Sequence, residues 1–548
     1  MNSVLSVCVS LFTLTGVAYG SAYQWDNSSL VEFSVTEPPP IQFGTAVAAD
    51  FDGDGDLELV VSGWAVTDDL PNGLPMTRTY SYEGIATILV PDPVTGEPIS
   101  QELIDFQQIS SRSTLHQVWK SAMAVGDLDG DNRADLAISG LDADGTLALS
   151  VYEYSPFSTQ FIVMRTLPGL HSGDLEWGDM NNDGDQDLAA CGFNAEDEPE
   201  LIIYINSNRS LSPSISQISL VQLAVCSLEW GDYDADGDMD LVVAGMDRFG
   251  SPVLQVYDND GAGGLVNSGQ EFEGLAWPSV AWGDFDTDGD LDLLHSGARF
   301  TPLVLEGIIK LYANGSGSLV DESDGMLMGA FENDPATGRY DGKVSWGDYK
   351  NSGYPGIAIT GLESPTSTET LALFPNLQGM QLRRSDVDIY DGGANGTAFW
   401  ADFDGDLDLD MIVVGESRRT AGNVIRYLRN DARLGRRAPS APEGSEAAVR
   451  GRRATLSWSA ATDPQTPSPG LTYNLRVGTR PGGSDVMSPL SNLETGARLV
   501  SKRGNAGHNL SWTLSNLAPG TYYWSVQAVD QAFAGSGFTA EQQFTVDG

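Results

Sequence analysis

Short apolar segments with strand-favouring composition recur along most of the chain. Residues 175–177 and 280–282 each end in Trp just before an acidic cluster, and residues 241–244 form a Val-rich segment just after one. A third segment recurs around a Tyr, and in four copies an Asn follows it where a turn is expected: Asn206, Asn259, Asn314 and Asn430. The pattern predicts strands joined by turns.

The acidic clusters are copies of one nine-residue cassette. The fourth copy, residues 232–240, has Asp at every odd position and Gly at position 6. The seven copies open at Asp50, Asp127, Asp179, Asp232, Asp284, Asp348 and Asp402. A Gly lies five residues after position 9 in every copy: Gly63, Gly140, Gly192, Gly245, Gly297, Gly361 and Gly415. The openings are 77, 52, 53, 52, 64 and 54 residues apart, which is the size of one four-stranded sheet with its turns.

A small sheet of this size needs neighbours to cover its faces, and radial packing supplies them. The repeats therefore predict an all-β fold class with a seven-bladed β-propeller over residues 21–430. An open β-solenoid is the alternative, although its repeats are usually shorter. Trp stands two residues before the opening Asp in five copies, where we expect packing between neighbouring sheets, with carbohydrate stacking as the alternative: Trp177, Trp230, Trp282, Trp346 and Trp400.

The cassette has the spacing of a calcium loop. Side chains at positions 1, 3 and 5 can converge on one point, and Gly at position 6 permits the positive φ that turns the position-7 carbonyl towards it. The acid at position 9 completes a shell of hard oxygens, which favours Ca²⁺ over transition metals. No copy has Glu at position 12, so the loop differs from a helix-flanked calcium hand and lies between strands.

We expect five to six structural calcium sites. The candidate ligands are Asp50, Asp52, Asp54, Asp56 and Glu58; Asp127, Asp129, Asp131, Arg133 through its position-7 carbonyl, and Asp135; Asp179, Asn181, Asp183, Asp185 and Asp187; Asp232, Asp234, Asp236, Asp238 and Asp240; Asp284, Asp286, Asp288, Asp290 and Asp292; and Asp402, Asp404, Asp406, Asp408 and Asp410. Asn132 and Leu407 replace the position-6 Gly, and we expect Leu407 to distort its turn. The sixth copy has lost its ligands, and we expect the Lys350 ammonium to take the place of the cation there.

Composition limits the partners. The 548 residues include 29 Lys+Arg and 76 Asp+Glu, which gives a net charge of −47 and excludes a general nucleic-acid binder, because phosphate recognition needs a basic surface. Of the 76 acids, 29 occupy odd positions of the cassettes, so much of the charge belongs to predicted ion sites. The remaining negative surface favours neutral, basic or cation-bridged partners.

The N-terminus predicts export. Residues 4–17 are an uncharged apolar run followed by Ala18, Tyr19 and Gly20, which is typical of a signal peptide over residues 1–20, with no membrane insertion after cleavage. A buried strand or a retained anchor is the alternative. Cys191 and Cys226 then remain, either as one disulfide or as two buried thiols. We expect a secreted or cell-surface protein.

The composition changes after Asn430. A basic linker over residues 431–437 precedes residues 438–548, which we call the C-terminal module. Alternating segments around Trp458, residues 473–477 and residues 522–528 predict a β-sandwich there.

The cassette repeats and the C-terminal module each resemble a known family. The cassettes, with Phe43 and Gly44 ahead of the first, resemble the FG-GAP or VCBS repeats of integrin α-subunit propellers and of many secreted bacterial proteins, over residues 24–430. This resemblance implies calcium loops that rigidify the blades and a propeller face that binds proteins or glycans. The C-terminal module resembles a fibronectin type III domain, which makes Tyr522 its tyrosine-corner residue.

The sequence contains no recognisable catalytic constellation. His116, His171, His295 and His508 lie in different repeats or domains, without a nucleophile elbow or zinc-type Cys/His spacing. We therefore expect a non-enzymatic protein for extracellular recognition or adhesion, with a protein or glycan ligand. Some calcium-dependent polysaccharide lyases resemble the same propeller family, so a glycan-active enzyme is the alternative.

Overall fold

A computed structural model provides the structure of the chain. It describes residues 30–34, 41–67, 70–91, 98–108, 115, 119–158, 160–214, 220–300, 305–323, 343–363, 368–376, 388–391, 394–417, 422–430 and 436–547. The predicted signal peptide, His116 and residues 431–435 of the predicted linker lie outside these ranges.

The described chain is all-β, as predicted, and begins with β1 (Leu30–Ser34). The first four-stranded sheet contains β2 (Ile41–Ala49), β3 (Glu58–Thr67), β4 (Leu70–Pro91) and β5 (Pro98–Gln108). The second contains β6 (Trp119–Gly126), β7 (Asp135–Leu141), β8 (Leu147–Ser155) and β9 (Gln160–Leu167). The third contains β10 (His171–Gly178), β11 (Asp187–Phe193), β12 (Pro199–Asn206) and β13 (Leu211–Pro213).

Four further sheets repeat this antiparallel order. The fourth contains β14 (Ala224–Gly231), β15 (Asp240–Met246), β16 (Pro252–Asn259) and β17 (Leu265–Asn267). The fifth contains β18 (Ala276–Gly283), β19 (Asp292–Phe300), β20 (Leu305–Asn314) and β21 (Leu319–Asp321). The sixth contains β22 (Val344–Gly347), β23 (Gly356–Glu363), β24 (Thr368–Phe374) and β25 (Asp388–Asp391). The seventh contains β26 (Ala394–Ala401), β27 (Asp410–Ser417) and β28 (Gly422–Asn430).

The N-terminal strand completes the seventh sheet. β1 pairs antiparallel with β28, in a register that sets Leu30 opposite Asn430. The first strand of each sheet contacts the first strand of the next, and β26 contacts β2. Both ends of the repeat region therefore meet in one sheet, and contacts between first strands run from the first sheet to the seventh and back to the first.

In five of the sheets, the Gly that ends the first strand packs against a Trp ring from the next sheet. A Cβ on Gly178 would lie 2.6 Å from the Trp230 ring, so only Gly leaves room for that ring. The other pairs are Gly126 with Trp177, Gly231 with Trp282, Gly283 with Trp346 and Gly347 with Trp400. This confirms that the Trp side chains pack between sheets.

The two junctions without Trp have Ala where the other sheets have Gly, and a residue smaller than Trp opposite it. Ala49 shares a buried cluster with Val125, and Ala401 shares one with Ala48. A larger residue therefore stands in place of the Gly at these two junctions, where a smaller one stands in place of the Trp.

Cys191 on β11 and Cys226 on β14 form a disulfide, with their Cα atoms 6.3 Å apart. The bond joins the third sheet to the fourth. Of the two possibilities that the sequence left open, the structure contains the bonded form.

Within the described residues, no helix has the length and apolar character needed to cross a bilayer.

Two three-stranded sheets form the C-terminal module. Its elements are β29 (Glu443–Arg450), β30 (Arg453–Ser459), the 3-10 helix η1 (Ser468–Gly470), β31 (Thr472–Gly478), β32 (Ser511–Leu514), β33 (Gly520–Val529) and β34 (Gln542–Val546). The strand orders are β29-β30-β32 and β31-β33-β34. Trp458, Trp512 and Trp524 are buried in one hydrophobic core. The Tyr522 hydroxyl donates to the Ala518 carbonyl over 2.7 Å.

Candidate metal centres

Every cassette connects the first strand of a sheet to the second. The fourth copy begins at Asp232, directly after β14, and its ninth residue, Asp240, is the first residue of β15. Positions 1 and 9 are therefore anchored at strand ends, whereas positions 3 to 7 lie in the loop between them. In the first copy Asp50 and Glu58 are buried while Asp54 and Asp56 are exposed.

The position-1 carboxylate shapes the loop. Asp232 accepts the N–H of Asp236 on Oδ1 (3.1 Å) and the N–H of Gly237 on Oδ2 (3.0 Å). The bond from the position-6 N–H forms in all seven copies, and in the sixth Asp348 accepts the N–H groups of both Ser352 and Gly353. This explains why the sixth copy keeps its first Asp after losing the other acids.

The position-9 carboxylate closes the loop. Asp240 accepts the Tyr233 N–H on Oδ2 (3.2 Å) and the Asn259 N–H on Oδ1 (2.8 Å). Glu58 accepts the Phe51 N–H in the same way (2.9 Å). Each oxygen retains a second lone pair, so a position-9 acid can still face a cation.

The Asn residues that the sequence marked as turn residues are buried connectors. Asn259 Nδ2 donates to the Met180 carbonyl, at position 2 of the preceding cassette (2.7 Å). The same bond to the preceding cassette is made by Asn206, Asn314 and Asn430, and also by Asn376, which the sequence analysis missed. Because Asn is common in turns, its local pattern did not reveal the contact with another sheet.

Backbone conformation agrees with the predicted loop. Position 6 has positive φ in all seven copies, from 64° at Asn132 to 104° at Gly55. Leu407 also adopts it, at 73°, and its N–H still bonds Asp402 over 2.9 Å, so the expected distortion of the seventh turn is absent from this backbone. Position 4 is left-handed as well, even at Ala235 and Thr287, which the sequence analysis did not anticipate.

Five cassettes bring three carboxylates together. One oxygen from each acid lies within 4.8 Å of the other two in the groups Asp50, Asp52 and Glu58; Asp127, Asp129 and Asp135; Asp232, Asp234 and Asp236; Asp284, Asp286 and Asp288; and Asp402, Asp404 and Asp410. In the third cassette the Asn181 amide oxygen accepts the Asp183 N–H, so it points into the loop. These donor sets consist of hard oxygens, as a Ca²⁺ site requires.

The charge of these groups also suits a cation. Burial and then Asp52 raise the pKa of Glu58 to about 9, and burial and then Asp292 raise the pKa of Asp284 to about 8. The cause is the cost of holding several negative charges in a partly buried loop. A divalent cation would remove that cost.

Position-7 side chains turn away from the groups. The Asp408 carboxylate accepts Asn351 Nδ2 over 2.7 Å, and the Asp290 carboxylate accepts the Ser316 N–H over 3.0 Å. The predicted calcium ligand at position 7 is the backbone carbonyl oxygen, and these side-chain hydrogen bonds do not involve it. Arg133 is at position 7 of the second cassette, and its guanidinium pairs with Asp131 over 2.6 Å.

The sixth cassette pairs with an arginine. Arg436 Nη1 lies 2.9 Å from Asp348 Oδ2 and 2.8 Å from Asn351 Oδ1, and its Nε lies 3.0 Å from Asp530 Oδ2. The side chains of Arg436 and Asp348 are both 0% exposed. The Lys350 ammonium instead lies 5.0 Å from the centre of the Tyr349 ring. The cation beside Asp348 is therefore Arg436 rather than the expected Lys350.

A cavity of about 480 Å³ lies between the first strands and the C-terminal module. Two acids on its wall form ion pairs with the module: Glu176 with Lys502 and Glu229 with Arg503, each at 2.6 Å. Burial raises the pKa of Glu229 to about 7, although Arg503 opposes the shift. The described histidines lie apart, His171 on β10, His295 on β19 and His508 in the module.

Several solved structures match the chain at low similarity. A lectin of the fungus Aleuria aurantia, described as a six-bladed β-propeller, is 11% identical, with a TM-score of 0.35, over 64% of this chain and 96% of the lectin. An α-L-arabinofuranosidase of Fusarium graminearum is 8% identical, with a TM-score of 0.36, over 72% and 96%. A lectin from Burkholderia pseudomallei is 11% identical, with a TM-score of 0.33, over 78% and 96%.

No curated protein sequence matches the chain. A family model does match, at residues 179–243 and 232–295, and its description is FG-GAP-like repeat. These two segments run from the third cassette to the second strand of the fifth sheet. The chain therefore contains FG-GAP-like repeats.

Proposed function

We propose that the protein is an exported, calcium-stabilised seven-bladed β-propeller with a C-terminal fibronectin type III-like module, and that it binds a protein or a glycan in extracellular recognition or adhesion. The observation that carries this proposal is that a group of three carboxylates, always including positions 1 and 3, recurs in the same loop of five sheets. Such repetition is expected of an element that stabilises each blade in which it occurs.

The contacts between sheets support the propeller. Seven four-stranded sheets contact one another through their first strands, and β26 contacts β2. Complementary pairs at the junctions, such as Gly178 with Trp230 and Ala401 with Ala48, fit a closed arrangement. The N-terminal β1 would hold the last blade to the first part of the chain.

The donor groups support calcium. Positions 1, 3, 5 and 9 and the position-7 carbonyl would hold the ion, which would neutralise carboxylates whose pKa values burial raises. Because an ion that binds only the folded state stabilises it, a site saturated 100-fold above its Kd contributes about 2.7 kcal/mol. A chelator should therefore lower the Tm, and an unchanged Tm would contradict structural calcium.

The disulfide between Cys191 and Cys226 supports an oxidising, extracellular setting.

Two features of the C-terminal module support the fibronectin type III-like assignment. Its strands form two sheets, β29-β30-β32 and β31-β33-β34, and the Tyr522 hydroxyl donates to the Ala518 carbonyl.

Ligand binding is testable directly. The full chain would be screened against glycan arrays and immobilised matrix proteins in calcium and again after chelation. We expect a ligand that is retained in calcium and released on chelation. A screen with no retained glycan or protein would contradict the recognition function.

The second candidate is a glycan-active enzyme. The acids Glu176 and Glu229 on the cavity wall are the observation that favours it, because glycoside cleavage uses paired carboxylates. Their ion pairs with Lys502 and Arg503 oppose it, since both acids are occupied. If the protein depolymerises a polysaccharide and Glu229→Gln abolishes that activity, the enzyme is established and the first candidate is overturned.

A further inference from the structure

The C-terminal module lies on the cassette loops. Three hydrogen bonds join it to the first three cassettes: the Asp50 N–H to the Leu499 carbonyl (3.0 Å), Asn132 Nδ2 to the Ser491 carbonyl (2.8 Å) and the Ser515 N–H to the Asn182 carbonyl (2.7 Å). The Asn182 carbonyl, at position 4, belongs to the loop backbone, so its bond to the module depends on the shape of the loop.

The module reaches the next three cassettes as well. Asn509 Nδ2 donates to Asp232 Oδ2 over 2.6 Å, so the module binds a predicted calcium ligand directly. In the fifth cassette, a Cβ on Gly470 would lie 2.8 Å from Thr287 Cβ, which shows how closely η1 approaches the loop. In the sixth, the Asp348 N–H donates to the Gln531 carbonyl over 3.2 Å.

Charge complementarity holds the same interface. Lys502 and Arg503 pair with Glu176 on β10 and Glu229 on β14. Arg436 bridges Asp348 of the sixth cassette and Asp530 of the module in a fully buried arrangement. The otherwise acidic chain thus places three of its cations where the module meets the sheets.

We propose that docking of the C-terminal module is coupled to calcium binding by the cassettes. This inference rests on the calcium sites of the proposed function. Without an ion, the converging carboxylates of a cassette repel one another, which weakens the backbone shape that the bonds to the position-1 carboxylate impose and to which the module bonds. With an ion, the loop is fixed and the interface is complete. At the sixth cassette, Arg436 supplies the positive charge in place of the ion.

Coupling of this kind is reciprocal. Calcium strengthens docking, and docking strengthens calcium binding by the same factor, which for coupled sites is typically about 5- to 150-fold. The module thereby covers the cassette side of the sheets when calcium is present, and a macromolecular ligand would reach the other side or the rim.

The first arm of the test uses hydrogen–deuterium exchange of the full chain in calcium and in chelator. We expect the Asp50 and Ser515 amides, which bond across the interface, to exchange at least about fivefold faster after chelation. Amides in β31 and β33, inside the module, serve as the control and should remain protected. Equal exchange at the interface in both conditions, while calorimetry shows that calcium binds, overturns the coupling. If calorimetry detects no calcium binding, the proposed function itself fails.

The second arm weakens docking without touching a cassette. The double variant Lys502→Glu/Arg503→Glu replaces both ion pairs with repulsion between carboxylates, because the new acids face Glu176 and Glu229. Calorimetry should then show a calcium affinity that is lowered at least about fivefold. The matched control adds Glu176→Lys/Glu229→Lys, which restores both pairs and should restore the affinity. Unchanged affinity in a variant whose interface amides exchange faster overturns the proposal.

Discussion

Individual buried side chains connect neighbouring sheets. Asn259 donates from Nδ2 to the Met180 carbonyl of the preceding cassette and to the Met239 carbonyl of its own, over 2.7 and 2.9 Å. The residue is 5% exposed, so water does not replace the side chain easily. Each such Asn therefore fixes the distance between two cassettes, which makes a single amide important for two candidate metal sites.

Asn259→Ala should lower the free energy of unfolding by about 1–3 kcal/mol, because it leaves buried carbonyls without a donor. Chemical denaturation measures the change. The control is Asn267→Ala, because Asn267 is exposed and its side-chain oxygen accepts the Gly269 N–H within its own turn. We expect that control to stay within about 0.5 kcal/mol of the parent protein. Equal losses in the two variants would contradict the connector role.

Glycine at the end of a first strand is required by the ring that packs on it. In Gly178→Ala the new methyl group would lie 2.6 Å from the Trp230 ring, and overpacking of this kind costs about 1–3 kcal/mol. Gly315→Ala is the matched control, because a Cβ there has no atom within 4 Å. Thermal unfolding should separate the two variants. A Tm of Gly178→Ala equal to that of the control would refute the junction model.

At the scale of the element, the cassette is a loop built around its first acid. Asp402 keeps its backbone bonds in the seventh copy even though Leu407 replaces Gly at position 6. The conformation is thus imposed by the bonds to the carboxylate, and the residue at position 6 adds or removes strain. This strain can be measured.

Leu407→Gly and Leu407→Ala both remove the side chain, but only Gly adopts a φ of 73° without cost. The Gly variant should be more stable than the Ala variant by about 1 kcal/mol in urea denaturation. Equal stabilities would show that the turn relaxes away from positive φ when the Leu side chain is absent.

Calcium stoichiometry tests a single cassette. Asp236→Ala removes one member of the group formed with Asp232 and Asp234, so calorimetry of the full chain should show one site fewer or much weaker. Lys350→Ala alters the sixth cassette, where Arg436 pairs with Asp348, and should leave the number of sites unchanged. A loss of one site in the Lys350 variant would contradict the assignment of Arg436.

At the scale of the whole molecule, the disulfide adds a covalent link between the third and fourth sheets. Cys191 and Cys226 are 35 residues apart, and loss of such a link costs about 2–4 kcal/mol. Cys191→Ser/Cys226→Ser should lower the free energy of unfolding by that amount, and reductant should lower the stability of the parent protein but not of the variant. Insensitivity of the parent protein to reductant would show that the bond does not form.

Local patterns in the sequence were sufficient to determine the repeat unit. The odd-numbered acids of residues 232–240, the position-6 Gly and the flanking apolar segments predicted a strand, a loop and a strand in each copy, because side-chain alternation and positive φ are properties of a few adjacent residues. The complementary sizes of Gly178 and Trp230 are also visible in the sequence. Their pairing became clear only once the order of the sheets was known.

Tertiary structure alone decided how distant parts meet. The pairing of β1 with β28, the contact of β2 with β26 and the position of Arg436 beside Asp348 all join residues far apart in the chain. Such contacts depend on how completed sheets pack, and no local periodicity encodes them. The seven cassettes and their acids were therefore predictable from the sequence, whereas the placement of the module on the cassettes and the arginine that replaces one cation were determined by packing and charge pairing in three dimensions.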